Sequence, residues 1–118
     1  MAVQKFSISL SSTVAAAVAS RGGNRSTVIN RDLARYYHLL AQAGKCLSNF
    51  SDDELGKIFA VIIHATNGDP ASIKFLPAIL ANEFLTDGDL VARLEGLGTL
   101  ELFALMDAAE KSQNRKPE

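Results

Sequence analysis

Residues 5–10 read Lys-Phe-Ser-Ile-Ser-Leu, alternating polar and apolar side chains without exception. A period of two predicts a half-buried strand, because successive side chains of extended chain point to opposite faces. Phe6, Ile8 and Leu10 would share one face, and Lys5, Ser7 and Ser9 the other. No other segment of the chain reads as a strand. A lone strand leaves its backbone groups unpaired and its apolar face uncovered. The simplest partner is the same strand of a second copy, paired antiparallel. On this reading the dimer is a condition of folding.

Helical signals follow at once. Ser11 or Ser12 can cap a helix over about 12–21, with Val14 and Val18 one turn apart on one face. Gly22 and Gly23 end it. Asn24 or Ser26 can cap a second helix running to about Ala43, with Gly44 as its stop. Its expected core residues are Val28, Ile29, Leu33, Tyr36, Tyr37 and Leu40, and Arg31 and Arg35 lie one turn apart on a more polar face.

The formal net charge of -1 hides a segregation. Residues 1–50 carry six Lys and Arg against the single acid Asp32, a balance of +5. Residues 51–118 carry six against twelve acids, a balance of -6. A basic half joined to an acidic half points the first half toward a polyanion. Residues 6–20 superficially resemble a secretory signal, but Ser7, Ser9, Ser11, Ser12 and Thr13 break the apolar run a signal needs. No apolar run approaches the ~20 residues that span a bilayer. The single cysteine, Cys46, rules out a disulfide within the chain and fits a reducing, cytoplasmic setting.

The strand KFSISLS, the helix after it and the turn GGNRSTVINRDL together resemble the ribbon-helix-helix family of DNA-binding proteins. The likeness covers residues 3–43, with Gly22, Asn24, Ser26, Val28 and Ile29 in the family's turn and second-helix positions. It implies a mainly α fold whose N-terminal ribbon-helix-helix forms an intertwined homodimer through an intermolecular two-stranded antiparallel ribbon. The expected domains are residues 1–45 for DNA binding and dimerisation, 46–111 as a small all-helical C-terminal module, and 112–118 as a disordered tail. The implied partner is double-stranded DNA, read in the major groove by the ribbon. Lys5, Ser7 and Ser9 would contact bases. Asn24, Arg25, Ser26 and Thr27, at the start of the second helix, would contact phosphates. The implied function is a bacterial-type dimeric, sequence-specific transcriptional repressor without a cofactor, metal or catalytic residues.

In the second half, Ser51-Asp52-Asp53-Glu54 forms a capping box before a helix to about Thr66, ended by Asn67-Gly68. Asp69-Pro70 caps the next segment, and Pro77 predicts a kink or two short pieces over 70–85. Further helices start near Thr86–Asp89 and at Thr99. His38 and His64 read as surface or satisfied core residues, and Cys46 as a small, partly buried one, without metal spacing among them. No phosphate-binding glycine motif occurs. Three other functions are open. An antitoxin would bind a toxin partner through its C-terminal half, although residues 51–111 have the apolar content and caps to fold alone. A plasmid maintenance or transfer protein would assemble into higher oligomers along repeated DNA sites. A purely structural dimer would bind no DNA.

Overall fold

The computed structural model describes residues 8–67 and 69–114. Within them the chain forms six α-helices and two 3₁₀ segments: α1 (Ser12–Ser20), α2 (Arg25–Ala43), a 3₁₀ segment (Gly44–Asn49), α3 (Asp52–Thr66), a second 3₁₀ segment (Pro70–Phe75), α4 (Leu76–Glu83), α5 (Gly88–Glu95) and α6 (Thr99–Asn114). It groups into two compact units, residues 1–37 and 38–118, and the division falls inside α2.

No strand occurs among the described residues, which overturns the expected fold class and the ribbon-helix-helix likeness. Residues 8–10 are irregular and exposed, with Ile8 at 60% and Leu10 at 37% of full exposure. Residues 5–7, the rest of the expected strand, lie outside the described residues. The physical reason is that alternation makes a strand only where an edge exists to pair with, and no other described segment is extended. The turn motif that carried the likeness serves an ordinary helical connection. Gly22 and Gly23 adopt φ of +70° and +78°, where a Cβ would be strained, and Asn24 Oδ1 accepts from the Thr27 N–H at 3.2 Å. Those residues suit any short link between two helices, so they do not specify a ribbon.

Unit 1 starts with a capped helix. The Ser11 Oγ accepts from the Val14 N–H at 3.2 Å and opens α1. Among the described residues of this unit only Val18 and Val28 are buried.

Unit 2 has a true core. The capping box at Ser51 is complete: the Ser51 Oγ accepts from the Glu54 N–H at 3.1 Å, and Glu54 Oε1 accepts from the Ser51 N–H at 2.9 Å. Three acids in the first turn of α3 further suit the positive helix end. Asn67 closes α3 in the left-handed conformation at φ 49°. Proline at position 70 starts a 3₁₀ segment and Pro77 falls in the first turn of α4, giving two short pieces. α6 is the central helix, with Leu102, Ala104, Leu105, Met106 and Ala109 buried. α3, α4 and both 3₁₀ segments pack with it or with each other, and α5 packs on α4. Ile58, Ile62, Leu76, Leu80 and Leu105 are completely or almost completely removed from solvent. α6 continues to Asn114.

Candidate nucleic-acid interface

The basic charge of unit 1 is concentrated on α2. Its single acid, Asp32, is already engaged: Arg21 Nη1 lies 3.1 Å from Asp32 Oδ1 and donates to Oδ2 at 3.2 Å. Arg25, Arg31 and Arg35 are exposed and form no ion pair among the described residues. Guanidinium groups of this kind are always charged and offer a planar donor fork that matches a phosphate.

Helical periodicity sorts the side chains of α2. Arg31 and Arg35 lie four residues apart on one stripe. Ile29, Leu33 and Tyr36, at i, i+4 and i+7, form another, roughly 150° around the helix. Tyr37 flanks the apolar stripe, and its ring meets that of Tyr36 edge-on at 5.4 Å. Arg31 and Arg35 therefore lie on a different face from Leu33 and Tyr36, beside the buried Val28, whereas Arg25, four residues before Ile29, is in line with the apolar stripe. The first turn of α2 holds no acid and begins with Arg25, a cation at the end that ordinarily favours anions.

The residues expected from sequence to touch DNA fall in different places. Lys5 and Ser7 lie outside the described residues. Ser9 is exposed in irregular chain rather than on a ribbon. Asn24 is the cap of α2, and Arg25, Ser26 and Thr27 form its exposed first turn. The core expected for α2 is corrected in part. Val28 and Leu40 are buried, but Leu33, Tyr36 and Tyr37 stand 46%, 38% and 55% exposed. Arg31 and Arg35 were not expected as contacts; their four-residue spacing was the signal for them, and the pairing of Asp32 with Arg21 is what only the structure shows.

Unit 2 offers different chemistry. Arg93 on α5 donates to both oxygens of Glu54, at 3.1 and 2.6 Å, and to the Asn49 carbonyl at 2.6 Å. It also pairs with Asp89 at 3.2 Å and lies 5.1 Å from the Phe50 ring centre. Arg93 hydrogen bonding, joined by that from Ser51, lowers the Glu54 carboxyl to about 2. This cluster is a clamp between α5 and the start of α3. Cys46 is buried; burial, with the charge of Glu101, raises its thiol and so disfavours the thiolate. A groove of about 410 Å³ between α3 and α6 has Phe59, Ala60 and Ile63 in its walls and His64, Ser112 and Gln113 among its polar groups. Among the described residues no three His, Cys, Asp or Glu side chains gather to hold a metal ion, and no helix is long and apolar enough to cross a membrane. No protein-family model, curated protein or solved structure matches the chain.

Proposed function

We propose that this chain binds double-stranded DNA through unit 1 and acts as a transcriptional regulator by occupying its site. The observation that carries the reading is the set of three exposed arginines on α2, Arg25, Arg31 and Arg35, which form no ion pair among the described residues, in a unit whose one acid is neutralised by Arg21. An α-helix fits the major groove, and guanidinium groups on its flank reach phosphates. Duplex rather than single-stranded nucleic acid is favoured because single-strand binders stack bases on aromatics set within a basic groove. Here Tyr36 and Tyr37 lie away from the Arg31–Arg35 stripe. Phosphate contacts position a protein without reading bases, so the preference between sequences is modest.

The test is fluorescence anisotropy of a labelled duplex of about 30 base pairs, against a single strand of equal length, at about 50 mM salt, where phosphate contacts are weakly screened. The expected result is saturable duplex binding, with the single strand bound more weakly. No duplex binding under these conditions refutes the proposal.

A further inference from the structure

We infer that the groove between α3 and α6 binds a small molecule with an apolar body and a protonated amine at one end. The groove lies wholly within unit 2, so the inference does not rest on DNA binding. Small side chains make the space. Gly56 and Ala60 stand one turn apart on α3, and Ala109 of α6 lines the same hollow. Packing does not require a glycine at position 56, since a Cβ there would meet nothing within 4 Å. Glycine also disfavours the helix it sits in. What it leaves is room: a hollow of about 410 Å³ walled by the half-buried Phe59 and Ile63. Small-molecule sites have volumes of this order, mostly apolar walls and a few polar groups that fix orientation.

The polar groups stand at one end. A second hollow, of about 250 Å³, shares Ile63 and Gln113 with the first and is otherwise lined by Asn67, Glu110 and Asn114. Glu110 is exposed and forms no ion pair among the described residues. Its neighbour on α6, Lys111, is held by Asp107 at 3.0 Å. Asn67 closes α3, and the C-terminal end of a helix is the negative end of its dipole. The amides of Asn67, Gln113 and Asn114 offer carbonyl oxygens to N–H donors.

The two hollows select one kind of occupant. A carboxylate, a helix C-terminus and amide oxygens favour a cation that donates hydrogen bonds, and the adjoining Phe59 and Ile63 favour an apolar body. An ammonium at one end of a flat or aliphatic body meets both demands. An anionic head would face Glu110 and be repelled. His64 lines the first hollow and not the second, where the ammonium sits.

The test is made on the full, isotope-labelled chain by following its backbone amide resonances. It is titrated with tryptamine, a flat apolar body bearing an ammonium, and with two probes of the same body, the neutral tryptophol and the anionic indoleacetate. A probe of about a dozen non-hydrogen atoms ordinarily reaches a Kd of about 0.1–1 mM, so the titration runs to about 5 mM. Saturable shifts are expected at Phe59, Ala60, Ile63 and Gln113, with unit 1 unmoved, and tryptamine is expected to bind more tightly than tryptophol and indoleacetate. Glu110→Gln is expected to weaken tryptamine by about 2- to 5-fold, the range of an exposed ion pair, and to leave tryptophol unchanged. Gly56→Leu puts a side chain into the open space and is expected to abolish binding; leucine is a far better helix former than glycine, so the fold is kept. Absence of saturable shifts, shifts centred elsewhere, or tryptophol or indoleacetate binding as tightly as tryptamine overturns the inference. So does an unchanged Kd for tryptamine in either variant. Binding that appears only once residues 115–118 are deleted also overturns it, since the occupant would then be the chain's own tail, which carries Arg115 and Lys116.

Discussion

The DNA reading makes a quantitative claim about salt. Each cation that neutralises a duplex phosphate releases condensed counterions and contributes about -0.9 to the slope of log Kobs against log salt. Arg25, Arg31 and Arg35 are the exposed cations of unit 1 without an ion pair among the described residues, so their contacts give about -2.7 per chain. Between 50 and 200 mM salt, that slope is a loss of roughly 40-fold in affinity. Replacing both Arg31 and Arg35 with alanine leaves one such cation. The slope falls to about -0.9 and the loss to roughly 3- to 4-fold. A pair of chains on one site doubles both slopes. The substitutions are on exposed helix positions, where alanine is at least as good a helix former as arginine, so helicity is retained. Anisotropy titrations at four salt concentrations measure the slopes, with circular dichroism as the check on folding. Lys57→Ala is the control, since Lys57 is in unit 2 and pairs with Asp53 at 3.2 Å; its slope is expected to match the wild type. Parallel slopes for wild type and the double arginine variant would refute the placement of this face on phosphates.

Two further predictions concern unit 2. Leu105 is completely buried on the central helix, so Leu105→Ala is expected to cost about 2–5 kcal/mol, from lost transfer energy and the cavity left behind. Urea unfolding measures it, and a cost under about 1 kcal/mol would mean that the site collapses or that α6 is not central. The Glu54–Arg93 clamp adds a pH dependence. The folded-state value of Glu54 is about 2, below its ordinary 4.5. Its contribution is therefore complete above about pH 4.5 and is lost as pH falls through 2. Glu54→Gln is expected to lower stability at neutral pH and to flatten the acid limb between those values; an unchanged limb would show that the carboxylate is not held by Arg93.

Much of the helical layout was legible because capping is local chemistry. Ser11, Asn24, Ser51, Asp69 and Asp87 each accept a backbone N–H two or three residues ahead. Positions 22 and 23 could be read as a turn because glycine tolerates the positive φ found there. Pro77 likewise predicted the break between the 3₁₀ segment and α4, since it cannot donate to the preceding turn. The expected strand misled because alternation fixes only which side chains would share a face; residues 8–10, its described part, are irregular and exposed. The clamp in unit 2 was invisible for a related reason: Arg93 reaches Glu54 across 39 residues, while the sequence near Glu54 announces only its bond to Ser51.

The sequence by itself thus determined where most of the helices begin, and that basic residues gather before position 50 and acids after it. Those properties depend on neighbours within about four residues or on composition alone. The tertiary structure decided which apolar side chains of α2 are covered. Val28 and Leu40 are buried while Leu33, Tyr36 and Tyr37 are not, although the sequence offered all five as core residues. It also decided that Asp32 pairs with Arg21, that Arg25, Arg31 and Arg35 form no ion pair among the described residues, and that the described residues form no sheet. Burial, ion pairing and strand pairing each require a second surface, and periodicity shows only that a face is ready for one.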